Sequence, residues 1–155
     1  MKIRIFSLGR VKSAFVTEGV GEYLKRLRPW CQCEFEQLDT GRFGALAPEQ
    51  QKKKEAELLR KHIESSDFLA LLEPTGKQFS TTSFSAWVRK RQEAAAKQLI
   101  FAIGGPHGWD AELLEESKAQ IALSSLTFTS ELALVVLAEQ LYRAFSIIKG
   151  HPYSK

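Results

Sequence analysis

Glu73 to Lys77 (EPTGK), Gly104 to Trp109 (GGPHGW) and Ser124 to Ser130 (SSLTFTS) are the stretches of this chain whose residue types suit a ligand site. Each follows a short apolar run, and in open parallel sheets ligands settle beyond the carboxyl ends of strands, where loops lead into helices. The paired Gly104 and Gly105 carry no Cβ atoms, so main-chain amides and carbonyls there can approach a flat ligand closely. Pro106 stiffens the exit. A tight strand-to-helix turn is the commoner explanation of a lone Gly-Gly-Pro.

Hydrolytic and metal chemistries fail on inventory. There is no GxSxG, no P-loop and no HExxH, and His62, His107 and His151 lie far apart without ligand spacing. Cys31 and Cys33, two apart on an expected strand, share a face in a geometry poorly suited to a disulfide or a zinc site, which makes them reduced thiols. Glu139 and Arg143 stand four apart in the order that favours an intrahelical ion pair. The other reading turns Arg143 toward a phosphate.

The elements that must position these residues follow from periodicity. KIRIFSLG at 2–9 reads as a first strand, and Val16, Val20, Tyr23, Leu24 and Leu27 mark a helix stopped by Pro29. A second strand runs from Cys31 to Leu38, and the glycine-rich Asp39 to Pro48 is expected to be mobile. A helix from Glu49 to Glu64 carries Lys52, Lys53 and Lys54 on a solvated face. Phe68 to Leu72 and Leu99 to Ile103 are apolar on both faces and alternate with helical segments such as Phe84 to Arg91. That pattern belongs to a parallel sheet covered on both sides, so the fold class is an α/β domain of about five strands over residues 1–155. Ile121 to Leu123 is a last short strand. The final helix is apolar on more than one face: Leu134, Leu137, Ala138, Leu141, Phe145 and Ile148 on one, Leu132, Val135, Val136 and Ile147 on the others. Such a helix suggests one face on a sheet and another on a second subunit.

The 22 basic and 18 acidic residues are unevenly placed. Residues 1–61 carry 13 basic and 8 acidic side chains, while 102–140 carry Lys118 alone against six acids. Separated charge of this kind permits binding of a polyanion with the acidic segment turned away. The start lacks a signal-peptide pattern, and no apolar run approaches the ~20 residues of a membrane span. A soluble cytoplasmic protein is expected.

IGGPHG at 103–108, LSSLTF at 123–128, LAEQLYRAFSIIKG at 137–150 and the terminal HPYSK together resemble the RlmH (YbeA-type) family. SLG at 7–9, EYL at 22–24 and LEPTGK at 72–77 extend the resemblance over nearly the whole chain. Members are SPOUT-class methyltransferases that act on a pseudouridine of large-subunit (23S) ribosomal RNA. The resemblance implies an αβα sandwich with a C-terminal trefoil knot, against the general absence of knots, and a homodimer. It implies S-adenosylmethionine as methyl donor, no metal, and donor binding by Leu72, Gly104, Leu123, Ser124, Ser125, Leu126, Thr127 and Phe128. The acceptor is expected in the large subunit or the assembled ribosome, contacted by Arg143, His151 and Tyr153. Tyr153 would stack on an extruded base, and Arg143 or Lys155 would ease loss of the imide proton without a dedicated base. Many members have Pro-His where this chain has Thr129 and Ser130, an arginine at Leu134, and His at Ser154, so no role carries over to those positions. Two other functions fit the same features: a flavodoxin-like nucleotide-binding module using the glycine loops for phosphate, and a non-catalytic ribosome-binding factor using the basic surfaces.

Overall fold

The computed structural model describes residues 1–94 and 96–154, Ser154 by its backbone alone. Five strands, β1 (Lys2–Leu8), β2 (Gln32–Leu38), β3 (Phe68–Gln78), β4 (Gln98–Ile103) and β5 (Ala119–Ala122), form one parallel sheet in the order β2-β1-β4-β3-β5. Between them run helices α1 (Ala14–Leu27), α2 (Pro48–Arg60), α3 (Thr81–Glu93) and α4 (Ala111–Glu116), with α5 (Ser130–Ile148) after the last strand.

Strand alternation divides the core. Ile3, Ile5, Leu99, Phe101 and Ile103 point to one face, where α1, α3 and α5 supply Val16, Val20, Phe84, Val88, Leu137, Leu141 and Phe145. Phe6, Leu8, Ile100 and Ala102 point to the other, against Ala56 and Leu59 of α2 and Leu113 of α4. Runs apolar on both faces are therefore explained by two covered faces, as the α/β expectation requires.

The helix α5 lies against both α1 and α3. Gly19 of α1 leaves room for Val135, and the Ser85 hydroxyl of α3 donates to the Ala144 carbonyl at 3.1 Å. Most of the apolar surface that suggested a second subunit is thus buried inside the fold. What remains open is a narrow stripe of Leu132, Val136 and Ile147, with Phe15 exposed on α1.

Several boundaries move. The helix expected to reach Glu64 ends at Arg60, and the six-residue α4 has too few turns to show a period. The segment expected to be mobile contains a 3-10 turn, Gly41–Phe43, whose Phe43 is buried.

The largest difference concerns EPTGK, which is part of β3 and not an open loop. Leu72 and Lys77 both pair with Ile121 of β5, with the register break between them. One residue can pair with two strand positions only across its two edges, so β3 leaves one side of β5 at Leu72 and returns on the other at Lys77 and Gln78. Gly76 lies at the crossing. A Cβ there would sit 2.6 Å from the Gln120 carbonyl carbon and 2.7 Å from the Ile121 nitrogen, so only glycine fits.

Candidate functional site

At the carboxyl ends of β3, β4 and β5 the three glycine- and hydroxyl-rich segments converge on a cleft of about 380 Å³. That volume is in the range of small-molecule sites, ~300 to 1,000 Å³. Leu72, Ile103, Trp109, Leu123, Leu126, Phe128 and Ala133 make its walls apolar, and Ser124, Thr127, Thr129 and Ser130 add hydroxyls. Glu73 is the one charged side chain among the described residues lining it.

Local bonds hold the cleft open. The Trp109 indole N–H donates to the Leu72 carbonyl at 2.8 Å and ties the loop after β4 to β3. Gly104 suits the tight space beside it, where a Cβ would come within 3.1 Å of the indole ring. Ser130 donates to the Gly104 carbonyl at 3.2 Å, and Thr129 caps α5 by accepting from the Leu132 amide at 3.2 Å. Glu131 accepts from the Lys12 and Ser13 amides, which fixes the start of α5 against the start of α1; these donors hold its carboxyl below its usual pKa range.

Of the expected donor-binding residues, Leu72, Gly104, Leu123, Ser124, Leu126, Thr127 and Phe128 line this cleft. Ser125 does not; it is exposed. Trp109 and Glu73, which bound two of the stretches suited to a ligand, line it as well, though neither was among the individually named donor residues. The tryptophan signal was available, since an indole in a glycine loop leaves an N–H that needs a partner.

The expected acceptor residues gather elsewhere, at the far end of α5. Arg143 donates from Nε and an Nη to one Glu139 oxygen at 3.0 and 2.6 Å, the ion pair that the spacing suggested. The Tyr153 hydroxyl donates to the same oxygen at 3.1 Å, and the Arg143 guanidinium lies 5.0 Å from the centre of the Tyr153 ring. Tyr153 packs edge-on to Tyr142 at 4.5 Å, Tyr142 stacks on Trp30 at 5.4 Å, and His151 leans on the same indole. Burial first, then hydrogen bonding with Tyr23 and the charge of Glu139, pushes the Tyr153 phenol up to about 12. The tail was expected to lie beyond any helix; it closes in a 3-10 turn, Pro152–Ser154. Lys155 lies outside the described residues.

Ala133, on the cleft, and Arg143 are ten residues apart on one helix, about 15 Å along its axis. Within one chain the cleft and the tail cluster are therefore separate.

The chain matches the family described as "Predicted SPOUT methyltransferase" over residues 1–154. It belongs to the SPOUT methyltransferase family. Among its relatives, a ribosomal RNA large subunit methyltransferase H of Christiangramia forsetii is 38% identical over 99% of this chain and 98% of its own length. Proteins of the same name from Cytophaga hutchinsonii and Kosmotoga olearia are 34% and 36% identical, each over 99% of both chains. SPOUT membership implies a methyl donor in general and lends no support to the nucleotide-module and non-catalytic readings. The lining agrees, since among the described residues no Lys or Arg lines the cleft to hold a phosphate.

Proposed function

We propose that this chain methylates N3 of a pseudouridine in large-subunit ribosomal RNA, using S-adenosylmethionine bound in the cleft and acting as a cytoplasmic homodimer. The observation that carries the donor assignment is the pairing of a backbone-lined, glycine-floored cleft with, among the described residues, a single acidic side chain and no basic one. The residues present fit such a donor: apolar walls for its adenine and ribose carbons, and hydroxyls and exposed main-chain groups for its polar edges. When bound, it supplies an activated methyl group. The chain then has to hold the acceptor in line, keep water out and ease proton loss from the imide, for which the Arg143 guanidinium is the candidate. His151 and Tyr153 are the candidate base contacts.

The rRNA acceptor is taken from the relatives' names. The dimer is supported by the separation of the cleft from Arg143 and Tyr153, which a second copy laid along the stripe of Leu132, Val136 and Ile147 would bridge. The straddling of β5 by β3 supports the knotted path.

Labelled donor is offered to free rRNA, to large subunits and to whole ribosomes, and the modified nucleoside is identified by mass. Methyl-pseudouridine in subunits or ribosomes is the expected product. Absence of transfer to all three, or full activity of a sedimenting monomer, overturns the reading or its dimeric part respectively.

A further inference from the structure

Glu55 has no part in the site as drawn so far, yet its carboxylate lies directly behind the cleft wall. It is 2% exposed on α2, and a Cβ at Gly105 would meet its two oxygens at 2.7 and 2.9 Å. Gly105 lines the cleft on its other side, so one glycine backbone separates this carboxylate from the ligand space. One oxygen accepts from Gln51 Nε2 at 3.1 Å; the other has no hydrogen-bond donor among the described residues. Gln51 is itself buried beside it. Burying a carboxylate with one protein hydrogen bond and no cation beside it costs stability, and an apolar side chain of the same volume would not.

We infer that Glu55 is a positioning residue that biases the cleft toward a cationic ligand through its charge, favouring the sulfonium donor over the neutral thioether product. The inference rests on the donor assignment proposed above. The geometry gives it a direct reason: Gly105, lacking a side chain, leaves only main chain between the carboxylate and the cleft, where a partly buried charge is screened less than one in open water. Glu73 on the cleft surface adds the same sign. The carboxylate is paired with no cation on its own helix, and the titratable group acting on it from the facing loop is His107, which is exposed. Burial raises the Glu55 pKa, with Gln51 and His107 opposing. The bias is therefore present above that raised pKa and lost as pH falls through it.

The test is calorimetric titration of the whole protein with S-adenosylmethionine and, separately, S-adenosylhomocysteine, across pH, for the native chain, Glu55→Gln and Glu55→Leu. The expected result is a native preference for the cation that declines at acid pH. In both variants that preference falls by roughly tenfold and becomes insensitive to pH below neutrality, while their thermal midpoints hold or rise. A preference and pH profile unchanged in Glu55→Gln overturn the inference, as does loss of affinity for both ligands in equal measure. If Glu55→Gln fails to fold, a flat pH profile in the native chain overturns it. Absence of binding of either ligand to the native chain is a different failure, that of the donor assignment itself.

Discussion

The cleft and the tail cluster stand at opposite ends of α5 and are built from different material. The cleft is made by main chain: Gly104 and Gly105, the Leu72 and Gly104 carbonyls and the capped start of a helix, with apolar side chains as walls. The tail cluster is made by side chains already occupied with each other, Arg143 and Tyr153 sharing one Glu139 oxygen over a ladder of rings. A backbone site is rigid before its ligand arrives. A side-chain site held by an internal acid has to exchange partners when its ligand does.

The widest separation between the two regions is expected from Gly104→Val. Its branched side chain would strike Trp109 and weaken donor binding by roughly 100-fold, with the tail untouched. Calorimetry with donor reads this, and unchanged affinity in a folded variant would break the comparison. Tyr153→Ala should do the converse, lowering transfer to ribosomes by about tenfold with donor affinity nearly unchanged. Equal loss of both would merge the two regions into one site.

A subtler change sharpens the account of the tail. Glu139→Gln removes the charge opposing ionisation of Tyr153, so its phenol should titrate part of the way back from about 12 toward the usual ~10, read by phenolate absorbance. The sign follows from a raised pKa in the folded state: the phenol's part in stability is complete below ~10 and is lost as pH rises toward the folded value. The smallest expected effect is Thr129→Ala, which removes the cap of α5 and should cost about 1 kcal/mol in urea denaturation.

The same contrast explains what was legible in the sequence. Glycine pairs and apolar runs report backbone shape, and the stretches they marked, Glu73 to Lys77, Gly104 to Trp109 and Ser124 to Ser130, each contribute lining to one cleft. The i,i+4 spacing of Glu139 and Arg143 gave their pair, but no local pattern brings Tyr153 and His151 back onto Tyr142 and Trp30, because those contacts are made across the fold. EPTGK carries turn residues and reads as a loop; its pairing with β5 is tertiary, and Gly76 is there for a close backbone crossing. Glu55 had a local signal that went unused. Gln51, Glu55, Ala56 and Leu59 fall on one helical face, and two of them are apolar, which puts the carboxylate on the buried side.

The straddled β5 has a consequence for association between chains. It is the last strand of the sheet order, and a margin of that kind ordinarily offers unpaired amides and carbonyls as a template for another molecule's backbone. Here Lys77 and Gln78 already occupy the outer edge at Ile121 and Ala122. They are also exposed polar residues, which suits a border with water. The crossing over Gly76 thus seals one border of the sheet with the chain's own backbone. An incoming strand would have to displace that backbone first, which guards this border against cross-chain strand pairing.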